Sequence, residues 1–354
     1  MQLSITEQKQ HHAAFPGELQ LITLRNRHGL TVTLSNFGAS IWSVSVAKAG
    51  AQPVALSLGY QDVADWATNP YYFGVTVGRV ANRIGGAAFT HDGVTQSLIS
   101  NEGNNQLHGG PGGFSHRMWQ GEARYETDVD GKASVVAVFQ LTSVDGDQGF
   151  AGNLEASIEY RLNDNNELSM NYHAISDKTT PICLTNHTYW NLSSDALSGI
   201  LYHHLQINAD HILALDEAQI PNGDLISVEG TAFDFNQAKT VGADISDLAN
   251  GYDHFYVVKG GDTPELKSVA TLVDQASGRE MEILSTEPGV QFYSGNFLDG
   301  SLRSEQGELI HKHQGLCLET HGFPNAVNIA QFPTVMVEAN TPYRQLTVHK
   351  FTHL

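Results

Sequence analysis

Cysteine is nearly absent from this chain: Cys183 and Cys317 are the only two in 354 residues. Two thiols cannot build a disulfide framework, so the fold must be held by a packed core. Basic residues are also scarce. Nineteen Lys and Arg stand against 38 Asp and Glu, a formal net charge of −19, and no Lys/Arg cluster occurs. Nucleic acids and anionic membrane surfaces both require a basic patch that displaces counterions, so neither is an expected partner. No apolar run approaches the length of a bilayer span. The opening stretch MQLSITEQKQHHAAF lacks the basic start and apolar segment of a secretory signal, and a cytoplasmic location is expected. Charged residues make up only 16% of the chain and hydrophobic ones 41%, which excludes intrinsic disorder.

What is present is alternation. Leu154, Ala156, Ile158, Tyr160 and Leu162 alternate with Glu155, Ser157, Glu159 and Arg161. Leu168, Met170, Tyr172 and Ala174 alternate with Ser169, Asn171 and His173, and Leu30, Val32 and Leu34 with threonines. Such runs predict half-buried antiparallel strands. Further strands are predicted at 19–25, 40–47, 133–143, 204–208, 254–259, 280–285, 289–293, 315–320 and 343–351, which are rich in Val, Ile, Tyr and Phe. Helical patterning is confined to 62–68 and 243–249. With no βαβ rhythm and no fixed-period repeat, the expected class is all-β: a large antiparallel β-sandwich with few short helices. No linker divides the chain, so one domain over residues 1–354 is expected.

Six polar, glycine-rich stretches interrupt the alternation. GRVANRIGGAAF at 78–89 has no phosphate-loop spacing. Its arginines suggest fixed donors, with Arg79 expected to pair with a carboxylate inside the sheet and Arg83 to meet a ligand. LHGGPGGF at 107–114 surrounds His108 with glycines that let a backbone approach a ligand. NHTYWNL at 186–192 combines amides, an imidazole and aromatics. That is equally the composition of a packed core segment and of a sugar pocket, where aromatic faces cover C–H surfaces and polar groups meet hydroxyls. On a continuing strand Cys183, Thr185, His187 and Tyr189 share a face. In YDHF at 252–255, Asp253 either pairs with His254 at the surface or accepts from ligand hydroxyls. In EPGVQFYSGNFLDG at 287–300, Gln291 and Tyr293 face either a wet pocket or solvent. In LETHGFPNAVN at 318–328, Glu319 ends an almost apolar strand, and desolvation there raises a carboxyl pKa towards neutrality. If the strands of Glu319 and His187 lie side by side, the two groups meet across a cleft with both cysteines buried beneath. For metal binding, His311-Lys312-His313 is the one same-face pair, and no convergent set of three or four ligands can be assembled.

These six segments, in this order, resemble the aldose 1-epimerase (galactose mutarotase) family. The resemblance implies a sugar held in an open cleft of a large β-sandwich, with no cofactor and no metal. It makes Glu319 the general base and His187 the general acid, and by motif position Asn82, Arg83, His108, Tyr189, Asp253 and Gln291 the substrate-binding residues. Trp190, His321 and Asn325 stand where the family more often has phenylalanine, glutamine and aspartate, and Trp190 is expected to alter the packing of the pocket wall. The implied reaction is α/β interconversion of a free aldohexose such as galactose or glucose, by an ionised carboxylate–imidazolium pair at neutral pH. A hexose-6-phosphate epimerase and a non-catalytic sugar-binding sandwich are the alternatives. The expected assembly is a monomer or homodimer.

Overall fold

The strand Leu154–Asn163 shows how the alternation is used: its apolar positions are buried and its polar ones lie at intermediate or full exposure. The computed structural model describes residues 2–48, 50–193, 198–261 and 263–354. Leu154–Asn163 is the third strand of a nine-stranded antiparallel sheet. Its order is Gln120–Thr127, Ala133–Ser143, Leu154–Asn163, Glu167–Ser176, Tyr343–Thr352, Glu280–Ser285, Lys267–Val273, His204–Ile207 and Lys239–Thr240. A five-stranded sheet contains Ser4–His11, Glu18–Arg25, Leu30–Ser35, Ser40–Val46 and Val54–Ala55 in chain order. A second five-stranded sheet runs Pro221–Ser227, Ala209–Leu215, Asp253–Val258, Gly289–Tyr293, Cys317–His321.

One apolar cluster joins all three sheets. Ile22, Val32 and Leu34 from the first five-stranded sheet, Phe139, Ile158 and Tyr172 from the large sheet, and Val290, Phe292 and Leu318 from the second five-stranded sheet belong to it. Each such side chain contributes about 1.5–3 kcal/mol when fully withdrawn from water. The class is therefore all-β, a sandwich built on shared buried faces, as the alternation predicts. The predicted strands appear with ends shifted by a residue or two. Strand 315–320 begins later, at Cys317, because Leu316 forms an isolated bridge with Trp190 instead.

Helix is rare among the described residues. Val63–Thr68 forms one short α-helix, started by the Asp62 side chain accepting from the Ala64 amide and ended at Asn69 in the left-handed region. Its Trp66 stacks on Trp42 with ring centroids 4.0 Å apart. The second predicted helix, 243–249, reduces to a 3₁₀ turn at Ile245–Asp247. Seven residues gain too few hydrogen bonds to offset helix nucleation, although Ile245 and Leu248 pack against the core.

Two further differences bear on the site. The segment after Cys183 pairs as a strand only at Thr185–Asn186, against Thr76–Val77. Cys183 consequently packs in a cluster with Val77, Ile84 and Phe150, whereas Cys317 packs with Tyr189 and Tyr293, so only Cys317 lies under the cleft. Trp190 is buried in the sheet core, edge-on to His349 at 4.9 Å, and does not form the pocket wall.

Candidate active site

Antiparallel register assembles one wall of the site. Gln291 lies directly opposite Glu319, Tyr293 opposite Cys317, and Asp253 opposite Tyr293. Period-two geometry puts these five side chains on one face while Phe292 and Leu318 enter the core on the other. The Gln291 side-chain amide donates to Asp253 Oδ1 at 2.6 Å, so Asp253 turns into the cleft rather than pairing with His254 at the surface. The His254 ring instead accepts the Asp253 amide at 3.1 Å.

The opposite wall is loop. Arg83-Ile84 pairs with Gln106-Leu107, bringing the arginine motif beside the glycine-rich one. Asn82 and His108 both adopt left-handed backbone, φ 61° and 52°, which costs energy for residues with a Cβ. They hold each other there: the His108 amide donates to the Asn82 carbonyl at 3.0 Å, and the Asn82 amide donates to His108 Nδ1 at 3.2 Å. Gly109 is required beside them, because a Cβ would lie 1.9 Å from the Gly78 carbonyl oxygen. The Asn325 amide donates to the Arg83 carbonyl and its side chain accepts from Gly85, bracing this loop from behind.

His187 is fixed by main-chain bonds to its neighbours, its amide donating to Val75 and its carbonyl accepting from Gly74. Thr185 Oγ1 donates to the Thr320 carbonyl, tying the His187 segment to the Glu319 strand. The rings of Tyr72 and Tyr189 both stack on the imidazole. His187 Nε2 then stands 3.6 Å from Glu319 Oε1, with both side chains buried.

All eight residues expected at the site line a single cavity of about 160 Å3, smaller than the roughly 300–1,000 Å3 typical of drug-sized ligands. Pro70, Tyr71, Tyr72, Glu102, Leu107, Tyr293 and Phe297 complete its lining. Glu102 had no local signal in the sequence. It accepts from Arg83 Nε at 2.7 Å and Nη2 at 2.8 Å, a bidentate pair that orients the guanidinium and leaves Nη1 free of it. Tyr72 belongs to an aromatic run that reads equally well as core. Arg79 corrects an expectation: it is buried away from the cleft and pairs directly with no carboxylate among the described residues. Its guanidinium donates to Ser143 Oγ and to the carbonyls of Ser143, Val144, Ala151 and Gly152, and Ser143 Oγ relays to Asp147.

The electrostatics follow from burial. Desolvation pushes the Glu319 carboxyl well above the usual range; neighbouring Asp253 adds to the rise and Arg83 opposes it. Desolvation lowers His187 to about 4 and drives His108 well below the ordinary imidazole value. Burial therefore favours the neutral forms of both members of the pair, with the shared proton on the carboxyl.

His108, His187 and Glu319 bring possible ligand atoms within 4.8 Å of one another, the one such group of three among the described residues. His311 is exposed, and His313 Nδ1 lies 2.7 Å from the Ser294 carbonyl. The trio fits a metal poorly. His108 Nδ1 accepts the Asn82 amide, so in the neutral ring the proton is on Nε2 and no lone pair points into the cleft. Two ligands remain, where zinc uses three or four protein groups. What the arrangement offers is N–H donors, two carboxyl acceptors and one proton-sharing pair, all aimed at a small polar molecule.

Residues 20–350 match the family model for aldose 1-epimerase. The chain is 38% identical over 324 residues to a galactose mutarotase from Bos taurus, covering 91% of each chain. It is also 38% identical over 341 residues to an aldose 1-epimerase from Escherichia coli K12, covering 94% of this chain and 95% of that one. The chain belongs to the aldose 1-epimerase family. Among solved structures, a galactose 1-epimerase from Lactobacillus acidophilus superposes with a TM-score of 0.84 at 26% identity, covering 99% of both chains. An aldose epimerase homologue from C. elegans gives 0.83 at 29% identity, covering 94% of this chain and 99% of that one. No described helix is long and apolar enough to cross a membrane.

Proposed function

We propose that this isomerase interconverts the α- and β-anomers of free aldohexoses such as galactose and glucose, with Glu319 as general base and His187 as general acid. The observation that carries the reading is the buried carboxyl–imidazole pair, 3.6 Å apart in a cleft lined with hydrogen-bonding groups. The two groups share one proton, and the reaction uses the arrangement in which His187 carries it and Glu319 is ionised. Glu319 takes the proton of the C1 hydroxyl as His187 Nε2–H protonates the ring oxygen O5, and the C1–O5 bond breaks. The open aldehyde turns about C1–C2. Closure then reverses the roles: Glu319 returns a proton to the carbonyl oxygen, now O1, and His187 removes the one on O5. Proton transfers balance at each step, and neither redox chemistry nor a cofactor is required.

The other groups suit binding. Arg83 Nη1 and His108 Nε2–H are fixed donors for hydroxyls and for charge developing at O5. Asp253, oriented by Gln291, accepts hydroxyl protons, Asn82 offers an amide, and Tyr189 forms part of the wall. The same inventory disfavours a 6-phosphate. Glu102, Asp253 and Glu319 line the cleft with a single guanidinium, which Glu102 already engages. Polarimetry on freshly dissolved α-galactose, α-glucose and α-glucose 6-phosphate tests the reading. We expect acceleration of the free sugars and at least a tenfold lower kcat/KM for the phosphate. Sugar binding without acceleration, or a preference for the phosphate, would contradict it.

A further inference from the structure

Cys317 is fully buried beneath His187, with Sγ 3.4 Å from Nδ1. The thiol is also hydrogen-bonded to the Tyr189 side chain, whose ring stacks on the same imidazole at 5.2 Å. Both neighbours are set by the fold: Cys317 by its register opposite Tyr293, and Tyr189 by its carbonyl accepting the Leu58 amide at 2.9 Å. At Nδ1 the other group within hydrogen-bond reach is the residue's own main-chain carbonyl, which already accepts the Gly74 amide. Among the described residues no carboxylate bonds to Nδ1; Glu319 sits on the Nε2 side.

An imidazole that delivers a proton from Nε2 must keep one on Nδ1, or it is left as an imidazolate. The neutral ring that remains must then hold Nδ1–H against an acceptor while Nε2 takes the proton back. We propose that Cys317 is a positioning residue whose sulfur accepts the His187 Nδ1–H, fixing the tautomer in which Nε2 exchanges a proton at the sugar ring oxygen. This rests on the reading of His187 as the general acid.

The choice of sulfur has a chemical consequence. A carboxylate at Nδ1 would stabilise the imidazolium and weaken it as an acid. A thiol is a weak, uncharged acceptor, and burial holds it protonated by raising its pKa well above the ordinary value. It therefore orients the ring without increasing its basicity. The titratable groups that face His187 are Glu319, His108, Tyr72, Tyr189 and Tyr293, with His321 farther along the Glu319 strand. Among these, burial favours the uncharged forms of Glu319, His108, Tyr72, Tyr189, Tyr293 and His321 alike.

The test is ¹⁵N NMR of histidine-labelled protein, with the His187 signals identified by their loss in His187→Ala, alongside mutarotation kinetics. In the wild type we expect pyrrole-type Nδ1 and pyridine-type Nε2. In Cys317→Ala the two tautomers mix, and kcat falls about tenfold with KM little changed. In Cys317→Ser, whose hydroxyl also accepts, the tautomer and most of kcat return. A pyridine-type Nδ1 in the wild type, or a Cys317→Ala enzyme with unchanged tautomer and kcat, overturns the proposal. If Cys317→Ala does not fold, the wild-type spectrum and Cys317→Ser decide the question. Because the tautomer is read without turnover, its failure is separable from a failure of His187 as acid, which His187→Ala kinetics reports.

Discussion

Glu319 is 3% exposed in a chain carrying −19, and that contrast sets the chemistry of the site. Exposed carboxylates are poor bases at neutral pH because their pKa is low; withdrawing one from water raises it. The same withdrawal lowers His187 to about 4. The working pair carries one proton, whichever member holds it, so activity falls where a second is added or the last is lost. Adding the second means protonating His187, which places the acid limb of kcat/KM near pH 4. Losing the last means ionising Glu319, which places the alkaline limb well above the ordinary carboxylate range. We expect undiminished kcat/KM at pH 5.5 in a polarimetric pH series corrected for spontaneous mutarotation. Half-activity near pH 6.5, where an unperturbed imidazole titrates, would show that burial does not govern the pair.

Elements show where reading a single chain succeeds and where it stops. Strands with strict alternation, such as Leu154–Asn163 and Glu167–Ser176, were legible because a half-buried sheet requires period two. The motif residues were legible because they break that period with polar groups that a core would reject. Register was not. Gln291 meets Glu319 only because the strands at 289–293 and 317–321 pair antiparallel across a long connection, a tertiary outcome that local pattern does not encode. The same holds for Glu102, whose partner Arg83 lies 19 residues away. Arg79 was misread for a related reason: a buried guanidinium can be satisfied by carbonyls converging from residues 143–152, and carbonyls carry no sequence signature. For Cys317 the sequence indicates burial alone, because nothing local shows that an imidazole 130 residues earlier lies beside it.

Across the whole molecule, buried histidines outside the site make stability depend on pH. Burial lowers His203 and His321 to about 4 and His349 to about 3. The unfolded chain takes up protons at these side chains below about pH 6.5 while the folded one does not. Their contribution is therefore intact above the unfolded value and is lost as pH falls towards 4. His349 is the clearest case, with neither ring nitrogen hydrogen-bonded and the ring edge-on to Trp190. By linkage it costs about 2 kcal/mol at pH 5 relative to pH 8. His349→Leu, of similar size, is expected to flatten that part of the decline. Urea unfolding at pH 5 and pH 8 checks this: the variant should lose less stability between the two than the wild type, and an equal loss would contradict it.

The account stands most directly on the paired roles of Glu319 and His187. Polarimetry of α-galactose mutarotation at saturating sugar, comparing wild type with Glu319→Gln and His187→Ala, measures them. Each substitution is predicted to lower kcat by about 10²–10⁴. A variant that keeps the wild-type kcat would contradict the role assigned to that residue.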